Sequence, residues 1–286
     1  MAKQLSDKVI GRPDISEYLK SEDDFAFELE ILRSCQVGGF EARHGGAYQD
    51  PVTRKDRQFD IRLMGHKDRS VVKLAIECKN LKSNFPLLVS RIPRLPEESV
   101  HDIVLSSRSR LGSVTMGRRV GKLTVAGPAV VFQTNDFVCK STAQVGRAKS
   151  GEIVAGDAEV YEKWSQALGS AFELVSSSAT DYEIVNDSAA ATVVFPVLVI
   201  PDNTLWAADY ASDGQQLGDP KQVDHCEVFL GKTFDTLHFQ YTASHLLIFT
   251  KTKFDGYLDR LAVNDRYWQL IFPPAALEQL PAKMGR

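Results

Sequence analysis

The segment from Phe59 to Asn80, FDIRLMGHKDRSVVKLAIECKN, constrains the fold of this chain more than any other. Apolar and polar residues alternate in two runs, QFDIRLM and KLAIECK, and the polar sequence GHKDRS separates them. Such alternation is typical of half-buried β-strands. The segment therefore predicts an antiparallel hairpin with its turn centred near Asp68 and Arg69.

The register of this hairpin brings charged residues together. Successive side chains of a strand point to opposite faces, so Glu77 and Lys79 share one face while Ile76 and Cys78 share the core-facing one. The same register puts Asp60 next to Glu77. Two adjacent carboxylates repel each other unless a positive charge lies between them. The pattern therefore indicates a divalent metal, although an ordinary surface hairpin with a cross-strand ion pair is the alternative.

A helix is predicted upstream of the hairpin, over SEDDFAFELEILRSC. A cluster of Ser and Asp residues suits its N-cap, apolar residues follow at helical spacing, and the helix ends near Gly38 and Gly39. Glu28 lies in the middle of this helix, where it can face the edge of the sheet. Glu30 is the competing candidate, and for either residue a solvated carboxylate is the common case.

These elements together resemble the PD-(D/E)XK nuclease superfamily, also called the restriction-endonuclease-like fold. The resemblance rests on the helix with Glu28, a strand at FEARHG, Asp60 in FDIRL, and Glu77 with Lys79 in AIECKN. It implies an α/β fold with an αβββαβ core, in which helices flank a mixed central sheet. The chain departs from the pattern before Asp60, where Phe59 replaces the usual proline.

The resemblance also implies that the chain is a Mg²⁺-dependent endonuclease in which Mn²⁺ can replace Mg²⁺. Its substrate would be DNA in preference to RNA, and its role would be in defence or in DNA processing. Asp60, Glu77 and the backbone carbonyl of Cys78 would bind the metal, while Lys79 would orient or help deprotonate the attacking water. Glu28 would complete a second metal site or hold a water. The alternatives are a non-catalytic nucleic-acid-binding or assembly module and a metal-dependent enzyme acting on small phosphate compounds.

The rest of the predicted core lies far along the chain. A helix is expected over 157–178, and the apolar run TVVFPVLVIP that follows is typical of a buried strand. Lys163 and Gln166 on that helix are expected to contact solvent, with an approach to the site as the alternative. We predict a core over 1–210 with an insertion at about 81–156, and a C-terminal α/β extension over 211–286 packed on the core. The strands expected in the insertion are LLVSRI, Val104–Leu105, KLTVAG and PAVVFQT.

Within the insertion, the sequence SSRSRLGSVTMGRRVGK predicts a basic loop. Its cations are Arg108, Arg110, Arg118, Arg119 and Lys122, spaced among serines and glycines. Exposed backbone N–H groups and cationic side chains favour binding to the phosphates of a nucleic acid without base-specific contacts. A flexible solvated loop is the alternative.

Charge is distributed unevenly along the chain. Residues 41–150 contain 20 Lys and Arg against 10 Asp and Glu, whereas residues 151–286 contain 9 against 19. A basic segment around an acid pair fits a phosphodiester substrate, although basic and acidic segments can also pair across the fold. The absence of long apolar runs predicts a cytoplasmic protein with no membrane partner, and the four unpaired cysteines predict reduced thiols. A homodimer or a protein partner stays open.

Overall fold

The computed structural model describes residues 7–21, 23–51, 53–111, 114–127, 130–156, 158–180 and 190–278. The helices are α1 (Arg12–Ser21), α2 (Phe25–Val37), α3 (Ala158–Thr180), α4 (Lys251–Val263), α5 (Asp265–Ile271) and α6 (Pro274–Leu277), with a short 3₁₀ helix at Pro96–Glu98. The strands are β1 (Glu41–His44), β2 (Ala47–Gln49), β3 (Asp56–Gln58), β4 (Ile61–Lys67), β5 (Ser70–Cys78), β6 (Leu87–Pro93), β7 (Val100–Leu111), β8 (Val114–Ala126), β9 (Phe137–Arg147), β10 (Ile153–Gly156), β11 (Ala190–Ile200), β12 (Leu205–Asp209), β13 (Lys221–Gln222), β14 (His225–Asp235) and β15 (Gln240–Thr250).

The fold is α/β, with one large mixed sheet flanked by helices. In the described part of the chain this sheet has 13 strands, ordered β1-β4-β5-β11-β15-β14-β9-β6-β12-β13, with β10 paired to β9 and the β7–β8 hairpin paired to β11. β11 runs parallel to both β5 and β15, whereas β4 and β5 are antiparallel. Strands from the predicted insertion and from the predicted extension join this same sheet. The division of the chain into domains stays a prediction.

Helices cover both faces of the sheet because the central strands are apolar on both sides. On one face, Val175 of α3 packs in a buried cluster with Ala75 and Val194. On the other face, Ile31 of α2 and Leu258 of α4 pack in the main core. Full burial of an aliphatic side chain of this kind is worth about 1.5–3 kcal/mol. The continuous burial of β5 and β11 agrees with strands that are covered on both faces.

The β4–β5 hairpin has the predicted register. Lys67 pairs with Ser70 across a two-residue turn, and Asp68 in that turn has a φ of 52°, a left-handed conformation that aspartate tolerates better than most residues. Ile76 and Cys78 lie in the main core, as expected for the face opposite Glu77. The alternation of side chains was therefore sufficient to orient both strands.

The structure corrects two predictions for the insertion. The expected basic loop over 106–122 belongs instead to the long antiparallel hairpin of β7 and β8, in which Ser107 pairs with Arg119. The expected strand PAVVFQT does not form where the structure describes it, over 130–134. Val130 and Phe132 are buried there in a non-strand segment, where Phe132 stacks on His245 and the Gln133 carbonyl accepts a hydrogen bond from Arg94. The apolar character of this segment indicated that its residues are buried, but it did not indicate that they pair in a strand.

The four cysteines are free thiols, as predicted, and all four are buried. Among the described helices, none combines the length and the apolar character needed to cross a membrane.

Candidate active site

Asp60 and Glu77 lie together at one end of the β4–β5 hairpin. Asp60 directly precedes β4, and its backbone N–H donates to Glu77 Oε1 at 3.4 Å. The backbone N–H of Cys78 donates to Asp60 Oδ2 at 2.8 Å. Glu77 is completely buried, so burial raises its pKa well above the ordinary value of 4.5, and the charge of Asp60 raises it further. The hairpin register thus produces a pair of carboxylates that repel each other.

Lys163 of α3 lies between these two carboxylates. Its Nζ atom is 2.8 Å from Asp60 Oδ2 and 3.6 Å from Glu77 Oε2. Burial by itself lowers the pKa of Lys163, but the charges of Asp60 and Glu77 outweigh that effect and raise it. The expectation that Lys163 contacts solvent was therefore wrong, because α3 packs over the face of the hairpin that carries the acid pair. Gln166, one turn further, contributes its backbone carbonyl to the Tyr48 hydroxyl.

Lys79 is held at the end of β5 by a residue that the sequence did not single out. Its Nζ atom is 3.3 Å from Asp24 Oδ2, and Asp24 Oδ1 accepts the backbone N–H of Asn80 at 2.8 Å. Asp24 sits at the N-cap position of α2, but its side chain caps no N–H of that helix. The acidic cluster predicted to cap α2 therefore connects α2 to the end of β5. Its position directly before the helix was the signal available in the sequence.

Glu28, and not Glu30, is the helical carboxylate near the acid pair. Burial raises the pKa of Glu28, and the charge of Asp60 adds to this effect. His44 of β1 lies beside it, with Nε2 3.1 Å from Glu28 Oε2. Glu30 faces α4 instead, where Lys251 Nζ is 3.5 Å from its Oε1 atom.

Asp60 and Glu77 provide carboxylate oxygens, the ligands that hard cations prefer, and one of these oxygens is especially suited to bind a cation. Glu77 Oε2 is fully buried and has no hydrogen-bond partner among the described residues. Burying an oxygen in this way is costly unless a cation is available to it. Within the described ranges, no three histidine, cysteine or carboxylate side chains are already grouped around one metal position. A cation bound to both Asp60 and Glu77 would have to displace the ammonium group of Lys163, which lies between them.

The predicted nucleic-acid-binding residues lie on the β7–β8 hairpin. The structure describes the backbone of Arg108, Arg110 and Arg118 but not their side chains. Arg119 is exposed. Lys122 Nζ is 3.0 Å from Oδ2 of the buried Asp102. The hairpin joins β11 at its start, whereas Cys78 pairs with β11 near its end. Nine residues of strand separate Ala190 from Val199, the partner of Cys78, which corresponds to roughly 30 Å. The structure therefore does not bring the basic residues into the acid-pair site.

Comparison with known proteins identified no relative of this chain: no protein-family model, no curated protein and no solved structure matches it.

Proposed function

We propose that this chain is a metal-dependent nuclease whose active site is formed by Asp60, Glu77 and Lys79. The observation that carries the proposal is the Glu77 Oε2 atom, which is fully buried beside a second carboxylate and accepts no hydrogen bond from the described residues. A buried acid pair is costly to maintain, and a divalent cation is the ligand that best offsets this cost.

The order of the elements supports a restriction-endonuclease-like core. α2, β1, β4, β5, α3 and β11 follow one another in the αβββαβ order, apart from the small β2–β3 pair and the insertion. In the sheet, β1, β4, β5 and β11 are neighbours in that order, and β11 is parallel to β5. The hairpin with the acid pair thus occupies the centre of the proposed core.

Each residue of the site has a proposed role in phosphodiester hydrolysis. Asp60, Glu77 and the Cys78 carbonyl would hold Mg²⁺ or Mn²⁺, and the bound metal would supply positive charge and Lewis acidity to the reaction. Lys79 orients the attacking water and stabilises the charge that develops on phosphorus-bound oxygen. Glu28, beside the acid pair, accepts a hydrogen bond from a water or contributes to a second cation site.

The proposed substrate is DNA. The basic β7–β8 hairpin lies roughly 30 Å along the sheet from the acid pair, and successive nucleotides of one strand are about 3.4 Å apart. A duplex contacting both features would span about nine base pairs. The hairpin would then hold the backbone at a distance from the bond that is cleaved.

Cleavage assays test this proposal directly. The purified chain is incubated with plasmid, single-stranded DNA, RNA and a small phosphodiester, each with Mg²⁺, Mn²⁺ or EDTA. We expect metal-dependent cleavage of DNA that Glu77→Gln abolishes. The matched control is Asp209→Asn, which alters another buried carboxylate, one paired with Arg91 far from the acid pair. Equal loss in both variants, or no cleavage of any polymer by the wild type, overturns the proposal, and cleavage of the small compound alone favours the small-phosphate alternative.

The second candidate function is a non-catalytic nucleic-acid-binding module. The position of Lys163 favours it, because an ammonium group between Asp60 and Glu77 already neutralises part of their charge. Retention of DNA binding in EDTA, with no metal binding by isothermal titration calorimetry, would support this alternative over the nuclease.

A further inference from the structure

A second site lies on the opposite face of the sheet from the acid pair. A cavity of about 270 Å³ is bounded by β14, β15, α4, α5 and the segment at 131–136. Phe195, Leu247 and Phe249, which line it, belong to the main core beneath α2 and α4. Glu77 points to the other face, the one that α3 covers. The cavity is therefore separate from the proposed nuclease site.

The walls of the cavity are aromatic, and one hydroxyl in them is deeply buried. The Tyr257 side chain is only 4% exposed, and its hydroxyl lies near the Tyr267 hydroxyl without forming a hydrogen bond of standard geometry to any residue that the structure describes. Burial raises the pKa of this hydroxyl, and Tyr267 adds to the effect, so the group is a neutral donor. The Tyr257 ring packs 4.8 Å from the Phe249 ring and edge-on to the Tyr267 ring. A polar ligand atom in the cavity would accept a hydrogen bond of good geometry from this hydroxyl.

The charged groups around the cavity are segregated. The acids are Glu227 of β14, which forms an ion pair with the buried Arg94, and Asp136. The cations Lys253 and Arg260 come from α4, where they share one helical face with Tyr257 because the spacings are four and three residues. The cavity thus has hydrogen-bond acceptors on the sheet side and cations on the helix side.

We propose that this cavity binds a guanine nucleotide, with its base between the aromatic walls and its phosphate at Lys253 and Arg260. Three features of the cavity determine this choice. Aromatic side chains stack nucleobases, lysine and arginine bind phosphate, and a carboxylate accepts N–H groups of a base edge. Guanine presents two adjacent N–H donors, which suits Glu227 best. The volume of about 270 Å³ is slightly below the usual range of small-molecule sites, about 300–1,000 Å³, so the cavity takes at most one nucleotide and not an oligomer.

Two sources can supply this nucleotide. It is either a free guanosine phosphate or a single unpaired guanine nucleotide of a DNA or RNA strand. Because the cavity and the acid pair are on different faces, nucleotide binding does not depend on the nuclease activity. Binding is therefore measured in EDTA, where metal-dependent cleavage is absent.

Isothermal titration calorimetry on the full chain tests the proposal, with GMP, AMP, CMP, UMP, guanosine and inorganic phosphate as ligands. We expect GMP to bind roughly tenfold or more tightly than AMP, CMP or UMP, and more tightly than guanosine or inorganic phosphate; equal binding of AMP and GMP overturns the guanine assignment. Lys253→Ala removes one phosphate contact and should weaken GMP binding roughly tenfold while guanosine binding stays the same. The matched control is Lys251→Ala on the same helix, because Lys251 pairs with Asp255 and Glu30 and does not line the cavity.

A second variant tests the aromatic part of the cavity without altering the ion pair of Glu227 and Arg94. Glu227→Gln leaves Arg94 buried beside a neutral group and risks unfolding, whereas Tyr257→Phe removes only the hydroxyl. Tyr257→Phe should weaken both GMP and guanosine by roughly fivefold or more. Absence of GMP binding, or equal losses in Lys253→Ala and Lys251→Ala, overturns the proposal.

Competition distinguishes the two sources. A single-stranded pentamer with one guanine that displaces GMP identifies a nucleotide within a strand, and a pentamer that leaves GMP bound identifies the free nucleotide.

Discussion

Substitution of Lys163 by methionine tests the idea that an ammonium group occupies the position of a metal. The side chain keeps most of its volume, but the charge between Asp60 and Glu77 is lost. Two buried carboxylates then face each other without a cation. We expect Lys163→Met to destabilise the protein in EDTA and to make its stability depend on Mg²⁺.

The magnitude follows from the two ion pairs of Lys163. At an effective dielectric constant of about 20, opposite charges about 4 Å apart attract by about 4 kcal/mol, and the distances here are 2.8 Å and 3.6 Å. The cost of desolvating the lysine offsets much of this attraction. Removal of one partner from a buried ion pair costs about 3–5 kcal/mol in comparable cases, because the remaining charge is left uncompensated. For a chain of this size, that corresponds to a decrease on the order of 10 °C in Tm.

Thermal unfolding in EDTA and in saturating MgCl₂ measures this effect. Mg²⁺ should restore most of the stability of Lys163→Met, since a ligand at about 100 times its Kd adds about 2.7 kcal/mol. The wild type should gain less, because the metal must first displace Lys163. Mg²⁺ affinity measured by calorimetry should be higher in Lys163→Met than in the wild type.

Lys140→Met provides the matched control. Lys140 forms an ion pair with the buried Glu98, so its removal also leaves a buried carboxylate, but only one. Mg²⁺ should not restore the stability of Lys140→Met. If Tm falls equally in EDTA and in MgCl₂ for Lys163→Met, the acid pair does not bind Mg²⁺ and the proposed nuclease site is wrong.

Four further predictions concern the same site and the basic hairpin. Lys79→Ala should retain Mg²⁺ and DNA binding while cleavage falls roughly 10²-fold, and cleavage at the wild-type rate in a gel assay contradicts its proposed role. The pKa of Glu77 is raised above 4.5 in the folded protein, so the folded state binds this proton more tightly than the unfolded state does. The unfolding free energy of the wild type, relative to that of Glu77→Gln, should therefore fall as pH rises from 4.5 through the folded-state pKa. Denaturant titrations in EDTA that give the same difference at every pH exclude this. Asp24→Ala should cost about 1–3 kcal/mol in denaturant titrations, because the backbone N–H after Lys79 loses its acceptor, and an unchanged midpoint refutes that contribution. Arg118→Ala combined with Arg119→Ala should reduce the salt dependence of DNA affinity by roughly one unit of slope for each phosphate that the hairpin no longer neutralises, and an unchanged slope means that the hairpin does not bind the backbone.

Local patterns in the sequence determined the secondary structure around the site. The side-chain alternation of two short runs and the polar sequence between them predicted the β4–β5 register, and with it the adjacency of Asp60 and Glu77. Helical spacing predicted α2 with Glu28 and α3 with Lys163. These predictions succeed because the geometry of a strand or helix relates residues only a few positions apart.

The same local patterns failed where burial and pairing depend on distant residues. Phe132 and its apolar neighbours predicted a strand. Val130 and Phe132 are indeed buried, but the segment 130–134 pairs with no strand. The serines and glycines at 106–122 predicted a loop, yet the two halves of that segment pair with each other over a long hairpin. Composition indicates whether a residue is buried, but not which segment becomes its neighbour.

The tertiary structure alone decided the electrostatics of the site. Lys163 lies 103 positions from Asp60 in the chain, and only the packing of α3 across the hairpin brings the two together. The choice of Glu28 over Glu30 likewise depends on which face of α2 contacts the sheet. The cavity at Tyr257 combines side chains from β14, β15 and α4 that no local pattern connects. Charge pairs and cavities depend on distances across the fold, and periodicity along the chain carries no information about those distances.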